Sequence, residues 1–497
     1  MKKRVLSLLL TAVLLFALSA PALAVEEDVV PVIAMPPAGI SVQLDGQIVT
    51  FTDAEPEVVD QRTFLPFRAV FEAMGAEVNY EDETQTVVAV RGDTTLRMPV
   101  ASKEAAVTVG DTVTALPMDV APYVKVVDEG GGGRTYVPVR FAAQAFGCAV
   151  GWDQDDQTVL IVDTEKLLGE TLAKYEFTLM EKYAAYNEQF QTENWNIKAE
   201  FEASAAFMAM APMLFSGAMT GVMAEGTKAE MDMTMKLDLE DFLASISALF
   251  GESALSEEDL AMITALKEDG IGMQIRFDMD AGVIYLALTG DFITDLMGLA
   301  EDTWLAMDMD AMYAEMGLDY TGLMDAANTM DATELLAYTL TMVELNDKDS
   351  DYEMVHTLVD GVAKFLSDES FARDGNNYTS SYLFEEEGVK AAVAFTLVMQ
   401  GDEVKGYDMS VEVTGEATED GQPVTMTVTG FMDSDNKGKT EFRMDMAGLM
   451  TMDMTMDMAY TTTDEVPATA PPEGAVVVDF MELMGSTVVA EPAEPVA

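Results

Sequence analysis

Residues 62–90 read RTFLPFRAVFEAMGAEVNYEDETQTVVAV, and residues 134–162 read RTYVPVRFAAQAFGCAVGWDQDDQTVLIV. The offset, 134 − 62 = 72, places Arg62, Thr63, Pro66, Arg68, Gly75, Thr86 and Val87 on Arg134, Thr135, Pro138, Arg140, Gly147, Thr158 and Val159. Tyr80 is matched by the aromatic Trp152. So many matches at one spacing mark a duplicated unit. In each copy a short extended piece runs into a proline, which is favoured at the first position of a helix. Val70, Phe71 and Met74 then recur at helical spacing, as do Phe141, Ala145 and Phe146. Gly75 and Gly147 stand where a left-handed cap is needed. A strand, an acidic turn and a β-branched strand complete the unit. Two such units are expected to bury one small core between them.

The pattern R-T-x-x-P-x-R, an apolar helix, glycine, an aromatic, an acidic turn and T-V resembles the copper amine oxidase N-terminal-like domain, also called a stalk domain. The resemblance covers roughly a quarter of the chain, residues 39–163. It implies an antiparallel sheet curled around helices and no catalysis of its own. In the parent enzymes, catalysis belongs to a separate domain with three histidine copper ligands and a modified tyrosine. This chain has a single histidine, His356, and Tyr378 lies in Asn376-Asn377-Tyr378-Thr379, without the acidic residue that follows the cofactor tyrosine. Amine oxidase chemistry is therefore not expected.

Outward from the repeat, residues 1–24 read as a secretory signal: Lys2, Lys3 and Arg4, an apolar stretch over 5–18, and Ala22-Leu23-Ala24 as cleavage site. That stretch is shorter than the roughly 20 residues a spanning helix needs, and no later segment is expected to span. Residues 25–38 are a proline-rich acidic linker. The one cysteine, Cys148, has no intramolecular partner, so the fold owes nothing to disulfides and Cys148 reads as a small buried apolar residue. With 27 basic and 88 acidic residues the formal charge is −61, and loss of three cations with the signal gives 24 − 88 = −64. Such a field repels nucleic acid and anionic membranes and suits cations or a basic partner. Hydrophobic residues at 49% exclude a disordered acidic chain.

Gly130–Gly133 fill a four-residue insertion in the second copy; without a following Lys-Ser/Thr they read as a hairpin tip, not a phosphate loop. Residues 164–194 carry Leu168, Leu172, Tyr175, Leu179 and Tyr183 at helical spacing and are read as one connecting helix, with partner binding as the alternative. Beyond Trp195 the period becomes two: Met231, Met233, Met235 and Leu237 alternate with Asp232, Thr234 and Lys236, and Met273–Met279, Met409–Val413, Val424–Val428, Phe442–Met446 and Met452–Met458 repeat the pattern. Helices are expected near 240–250, 257–267, 293–299, 332–343 and 351–366. The fold class is thus α+β: a small duplicated antiparallel β/α domain, then a large curved antiparallel sheet with packed helices over 195–464, then an acidic Pro/Ala/Val tail over 465–497 in which 475–484 can dock. The run Gly282–Leu286, a helix, and Thr303–Asp308 also resembles exported half-barrel proteins of the lipoprotein-carrier type, in which a curved sheet holds an apolar cavity.

Methionine is the compositional oddity, with 39 residues. Thioethers suit Cu(I), but methionines spread over many strands read first as a pliant core face, so no cofactor or metal is assigned. Asp433–Gly438 begins like an EF-hand loop, yet Lys437 holds the fifth position and Met444 the twelfth, so a hairpin turn explains it and only weak calcium binding by scattered carboxylates stays open. No G-x-S-x-G occurs, His356 sits in a helical pattern, and no catalytic residue is assigned. The functional expectation is an exported, non-enzymatic envelope or extracellular protein whose N-terminal domain presents or tethers the β domain. Arg62, Pro66, Arg68, Gly75, Arg134, Pro138, Arg140 and Gly147 carry the repeat; the arginines are expected to pair with their own domain's acids or to meet an anionic wall polymer or envelope protein. The alternative is a carrier of apolar or lipid-like ligands, with Met233, Met235, Met273 and Met454 lining the site.

Overall fold

A computed structural model describes residues 39–480 except 53, 60–61, 111, 127–132, 154–156, 209, 251–256, 280, 290–299, 301, 316–331, 342–351, 387–388, 417–422 and 448. The expected signal, linker, 293–299 helix, most of the glycine run and the chain beyond 480 lie outside the described residues. Of the described residues, those in 39–175 and 339–363 form one compact unit, and those in 176–338 and 364–480 form the other.

The first unit contains β1 (Ser41–Leu44), β2 (Gln47–Ile48), β3 (Glu57–Val59), β4 (Arg62–Pro66), α1 (Phe67–Ala73), β5 (Glu77–Glu81), β6 (Thr86–Arg91), β7 (Thr94–Pro99), β8 (Glu104–Val109) and β9 (Thr112–Pro117). It continues through β10 (Tyr123–Val126), β11 (Gly133–Pro138), α2 (Val139–Gln144), β12 (Cys148–Asp153), β13 (Thr158–Asp163) and α3 (Thr164–Leu172). The repeats are β4-α1-β5-β6 and β11-α2-β12-β13, the strand–helix–strand–strand order read from the sequence. They meet through β4 and β11, which pair antiparallel with Leu65 opposite Val137. Those two positions are 137 − 65 = 72 apart, the repeat offset, so equivalent residues face each other across a local twofold. Around them one core joins Phe71 and Met74 of the first copy to Ala143 and Phe146 of the second, with the Phe71 and Phe146 rings edge to face at 5.7 Å.

Two details differ from expectation. Pro66 and Pro138 close their strands and cap the helices, with φ of −58° and −67°, instead of occupying the first helical position. A proline ring holds φ near −65°, which serves either place. The three sheets of this unit are antiparallel except where β1 runs beside β13 in parallel, Ser41 opposite Thr158.

The second unit holds α4 (Thr178–Thr192), β14 (Asn194–Phe207), β15 (Met213–Ala224), β16 (Lys228–Asp238), α5 (Glu240–Phe250), α6 (Glu257–Glu268), β17 (Ile271–Asp278), β18 (Val283–Thr289), β19 (Thr303–Asp308) and α7 (Met309–Glu315). Helix α8 (Ala332–Thr341) and α9 (Tyr352–Leu366), most of which belongs to the first unit, precede β20 (Ala372–Asp374), β21 (Asn377–Glu386), β22 (Val389–Gln400), β23 (Glu403–Glu416), β24 (Pro423–Met432), β25 (Lys437–Met446), β26 (Met450–Thr463) and β27 (Val476–Asp479). One 14-stranded sheet runs β20 to β26 in chain order, then β14 to β19, then β27. Every neighbouring pair is antiparallel except β19–β27, where residues 476–479 dock in parallel on Thr303–Ala306.

The stretch read as one connecting helix is two, α3 and α4, separated by residues 173–177. The cause is a pair of caps. Asp163 accepts the N–H of Lys166 at 3.1 Å and starts α3. Asp368, remote in sequence, accepts the N–H groups of Thr178 and Leu179 at 3.1 and 2.8 Å and starts α4. Periodicity alone runs through both starts.

Candidate apolar ligand face

Strand side chains alternate between faces, and directly paired residues share one. The register therefore builds an apolar face rung by rung. Met458, Ala199, Met219, Met233, Met273 and Leu288 form one rung across six strands. Met456, Phe201, Gly217, Met235 and Ile271 form the next, and Met454, Ala203, Phe215 and Leu237 the one after. The four methionines singled out from the sequence, Met233, Met235, Met273 and Met454, thus lie on a single face. Met233 and Met273 are direct partners.

Part of this face is covered. Tyr183 of α4 is buried against Phe395 and Tyr407, ring centroids 5.0 and 5.5 Å away. Phe190 packs on Trp195 at 5.0 Å and on Tyr460 at 6.0 Å. Burial pushes the Tyr460 phenol up to about 12, so this cluster stays uncharged at neutral pH. Under it Phe395, Leu397, Trp195 and Ile197 are buried. Toward the other end of the same strands the face opens: Phe201, Phe215, Met219, Met231, Met233, Met235, Met273, Met452, Met454 and Met456 are only half-buried. Apolar side chains that reach each other across strands and still touch solvent are what a surface for apolar ligands needs. Alternate positions on these strands are polar, and a cavity of about 570 Å³ is lined by Glu202, Ser204, Ser216, Lys236, Lys267 and Asp453 together with Ala203, Phe215 and Met454 of the apolar rung.

Sequence reasoning missed Arg276. It is buried, pairs with Glu230 at 2.8 Å, donates to the Ile275 carbonyl at 2.9 Å and stacks over Trp304 at 5.5 Å. Glu230 also accepts the N–H of Ala468 at 2.8 Å, which anchors the segment leading into β27. An arginine between apolar strand positions was the available signal.

In the first unit Arg62 pairs with Asp119, and Arg68 pairs with Glu72 at 3.6 Å while lying 5.6 Å from the Phe67 ring centre. Arg134 donates to the Gly133 carbonyl at 3.1 Å, and Arg140 is exposed without an ion pair among the described residues. Gly75 and Gly147 adopt φ of +78° and +69°, the left-handed caps the pattern required. Two charged partners escaped notice: the half-buried Arg91 and the buried Asp163, 72 residues apart and hence repeat-equivalent, form an ion pair across the local twofold. Cys148 lies beside them. Burial, with Asp163 adding to it, pushes its thiol up to about 12, which makes it unreactive. His356 faces Lys174 at 3.3 Å in a structural cluster with Asp360, which accepts from Lys174 at 2.9 Å.

Asp433 caps its own turn, accepting the N–H groups of Asp435 and Lys437 at 2.9 Å. Among the described residues no three His, Cys, Asp or Glu side chains are grouped to hold a metal ion, and no helix is long and apolar enough to cross a membrane.

Residues 43–163 match the Copper amine oxidase N-terminal domain family. The match stops at that N-terminal domain. No curated protein matches the chain. Among solved structures, a putative outer membrane lipoprotein-sorting protein domain from Vibrio parahaemolyticus shares 9% identity over 59% of this chain and 95% of its own, with a TM-score of 0.21. A DUF1329 family protein from Desulfovibrio piger gives 9% identity, the same coverages and a TM-score of 0.20. Lipovitellin gives 8% identity over 58% of this chain and 27% of its own, with a TM-score of 0.16.

Proposed function

We propose that the chain is an exported, non-enzymatic envelope or extracellular protein that binds apolar, lipid-like ligands on the methionine-rich face of its large sheet. The observation that carries this reading is the set of aligned rungs left half-buried where the aromatic cluster under α4 ends. Methionine's unbranched, polarisable side chain adapts to varied apolar shapes, which supports a carrier of mixed lipids over a site for one rigid molecule. The duplicated N-terminal domain acts as a rigid presenting module. Arg62 and Arg68 are occupied by its own carboxylates, which supports that role over one in gripping an anionic wall polymer.

The test is titration of the full secreted chain with the neutral dye Nile red, alongside native mass spectrometry of freshly purified protein. Saturable dye binding is expected, weakened at least about tenfold, or about 1.4 kcal/mol, when Met233, Met235 and Met273 are together replaced by glutamine. Absence of saturable binding together with a bare polypeptide mass would sink the proposal.

A further inference from the structure

At one end of the same face the methionines crowd in a way that the sequence alone scattered. Met426 of β24 is paired with Met444 of β25, and Met444 with Met452 of β26, so three thioethers stand side by side on adjacent strands. The next rung pairs Met446 with Met450, and the rung on the other side carries Met454 opposite Phe442. Six methionines therefore share one face of three strands, and all six are half-buried.

We propose that this cluster, centred on Met426, Met444 and Met452, is a thioether site for a soft, thiophilic monovalent cation of the Cu(I) or Ag(I) class.

Four observations lead there. Thioether sulfur is a soft donor that selects Cu(I)-like ions over Ca²⁺ or Mg²⁺. Three neighbouring strands span only about 9.6 Å, and although Met426 packs against the Val411 and Val413 cluster on its other side, three rotatable bonds in each methionine let the outer two sulfurs reach toward the middle one without backbone movement. Strands favour β-branched and aromatic side chains, so six methionines on one face of three strands depart from the usual strand composition. A formal charge of −61 enriches cations at the surface. The rung of Met219, Met233 and Met273 differs: its neighbours Gly217 and Gly221 are overlain by the Phe201 ring and by Met231, 2.4 and 2.7 Å from where a Cβ would sit. Phe201 and Met231 occupy the space over those glycines, which makes that rung the internal control.

The inference uses the same face as the apolar-ligand reading but stands apart from it, because leucine keeps the face apolar and removes only sulfur. The probe is silver nitrate added to the full chain in chloride-free buffer, followed by desalting and metal analysis. One silver retained per chain is expected. The combined Met426→Leu, Met444→Leu and Met452→Leu variant should bind it at least tenfold more weakly while keeping the parent's circular dichroism spectrum. The combined Met219→Leu, Met233→Leu and Met273→Leu variant should bind silver as the parent does. In parallel, with methionine methyls labelled by ¹³C, one equivalent of silver should move the signals of the six clustered residues alone, a readout that needs no variant. No retained silver, equal weakening in both variants, or shifts spread over methionines throughout the chain would overturn the site.

Discussion

Replacing Arg91 with methionine should loosen the N-terminal unit by about 3 kcal/mol, and Cys148 should report it. Arg91 pairs with Asp163, whose side chain is 7% exposed, and also donates to the Phe146 carbonyl at 3.4 Å. Methionine keeps the apolar stem, so the loss is charge and donors. Removing one partner of a buried pair costs about 3–5 kcal/mol because the other charge is stranded. Asp163 keeps the Lys166 N–H at 3.1 Å, and the Arg91 side chain is 23% exposed, which together place the value at the low end. Cys148 is the single cysteine and is 3% exposed, so an aromatic disulfide reagent labels it only when the unit opens. With rapid reclosing, labelling follows the open population. A loss of about 3 kcal/mol then means acceleration of about a hundredfold. Arg91 itself holds the thiol's pKa down, so its removal slows direct attack on the closed protein; faster labelling can only come from opening. Arg68→Met breaks a pair exposed on both sides and should change the rate less than about fivefold. If Arg91→Met labels within about threefold of the parent, the pair does not clasp the two repeats.

Four further outcomes are expected. Gly217→Ala places a Cβ 2.3 Å from the Thr234 carbonyl and 2.4 Å from the Phe201 ring, so urea unfolding should show a loss of about 1–3 kcal/mol; Gly75→Ala meets open space but a φ of +78°, and should lose about 1–2 kcal/mol from backbone strain alone. Raising salt from about 0.01 M to about 1 M shortens the screening length from about 30 to 3 Å, and the melting temperature should rise, because self-repulsion in a chain of charge −61 outweighs its exposed ion pairs. At Asp360 burial raises the carboxyl's pKa, but hydrogen bonds from Lys174 and Tyr175 outweigh it and hold the value below the usual range. Its contribution is therefore present above about pH 4 and lost as pH falls through the depressed value, so Asp360→Asn should flatten the pH dependence of unfolding below that point.

How much of this was legible follows from the range of each signal. The repeat, its caps and its shared core are local or follow one offset, so Pro66, Gly75 and their partners at 138 and 147 could be read directly. The alternation of Met231, Met233 and Met235 fixes a strand and its two faces. It does not fix which strand lies beside it, because pairing depends on turns and on chain closure. The sequence separates Met426 from Met452 by 26 residues, and only the register sets both beside Met444. The same limit hid the cap that Asp368 lends to α4 and the Arg276–Glu230 pair. The methionines show what that limit does to function. Scattered along the chain, they support a pliant core or a lining for apolar ligands. In register they form two methionine-rich surfaces, one interleaved with Gly217 and Gly221, the other without glycines. A chemical reading that the spread of methionine argued against is reopened by their pairing, and replacing Met426, Met444 and Met452 with leucine separates sulfur chemistry from apolarity on one face.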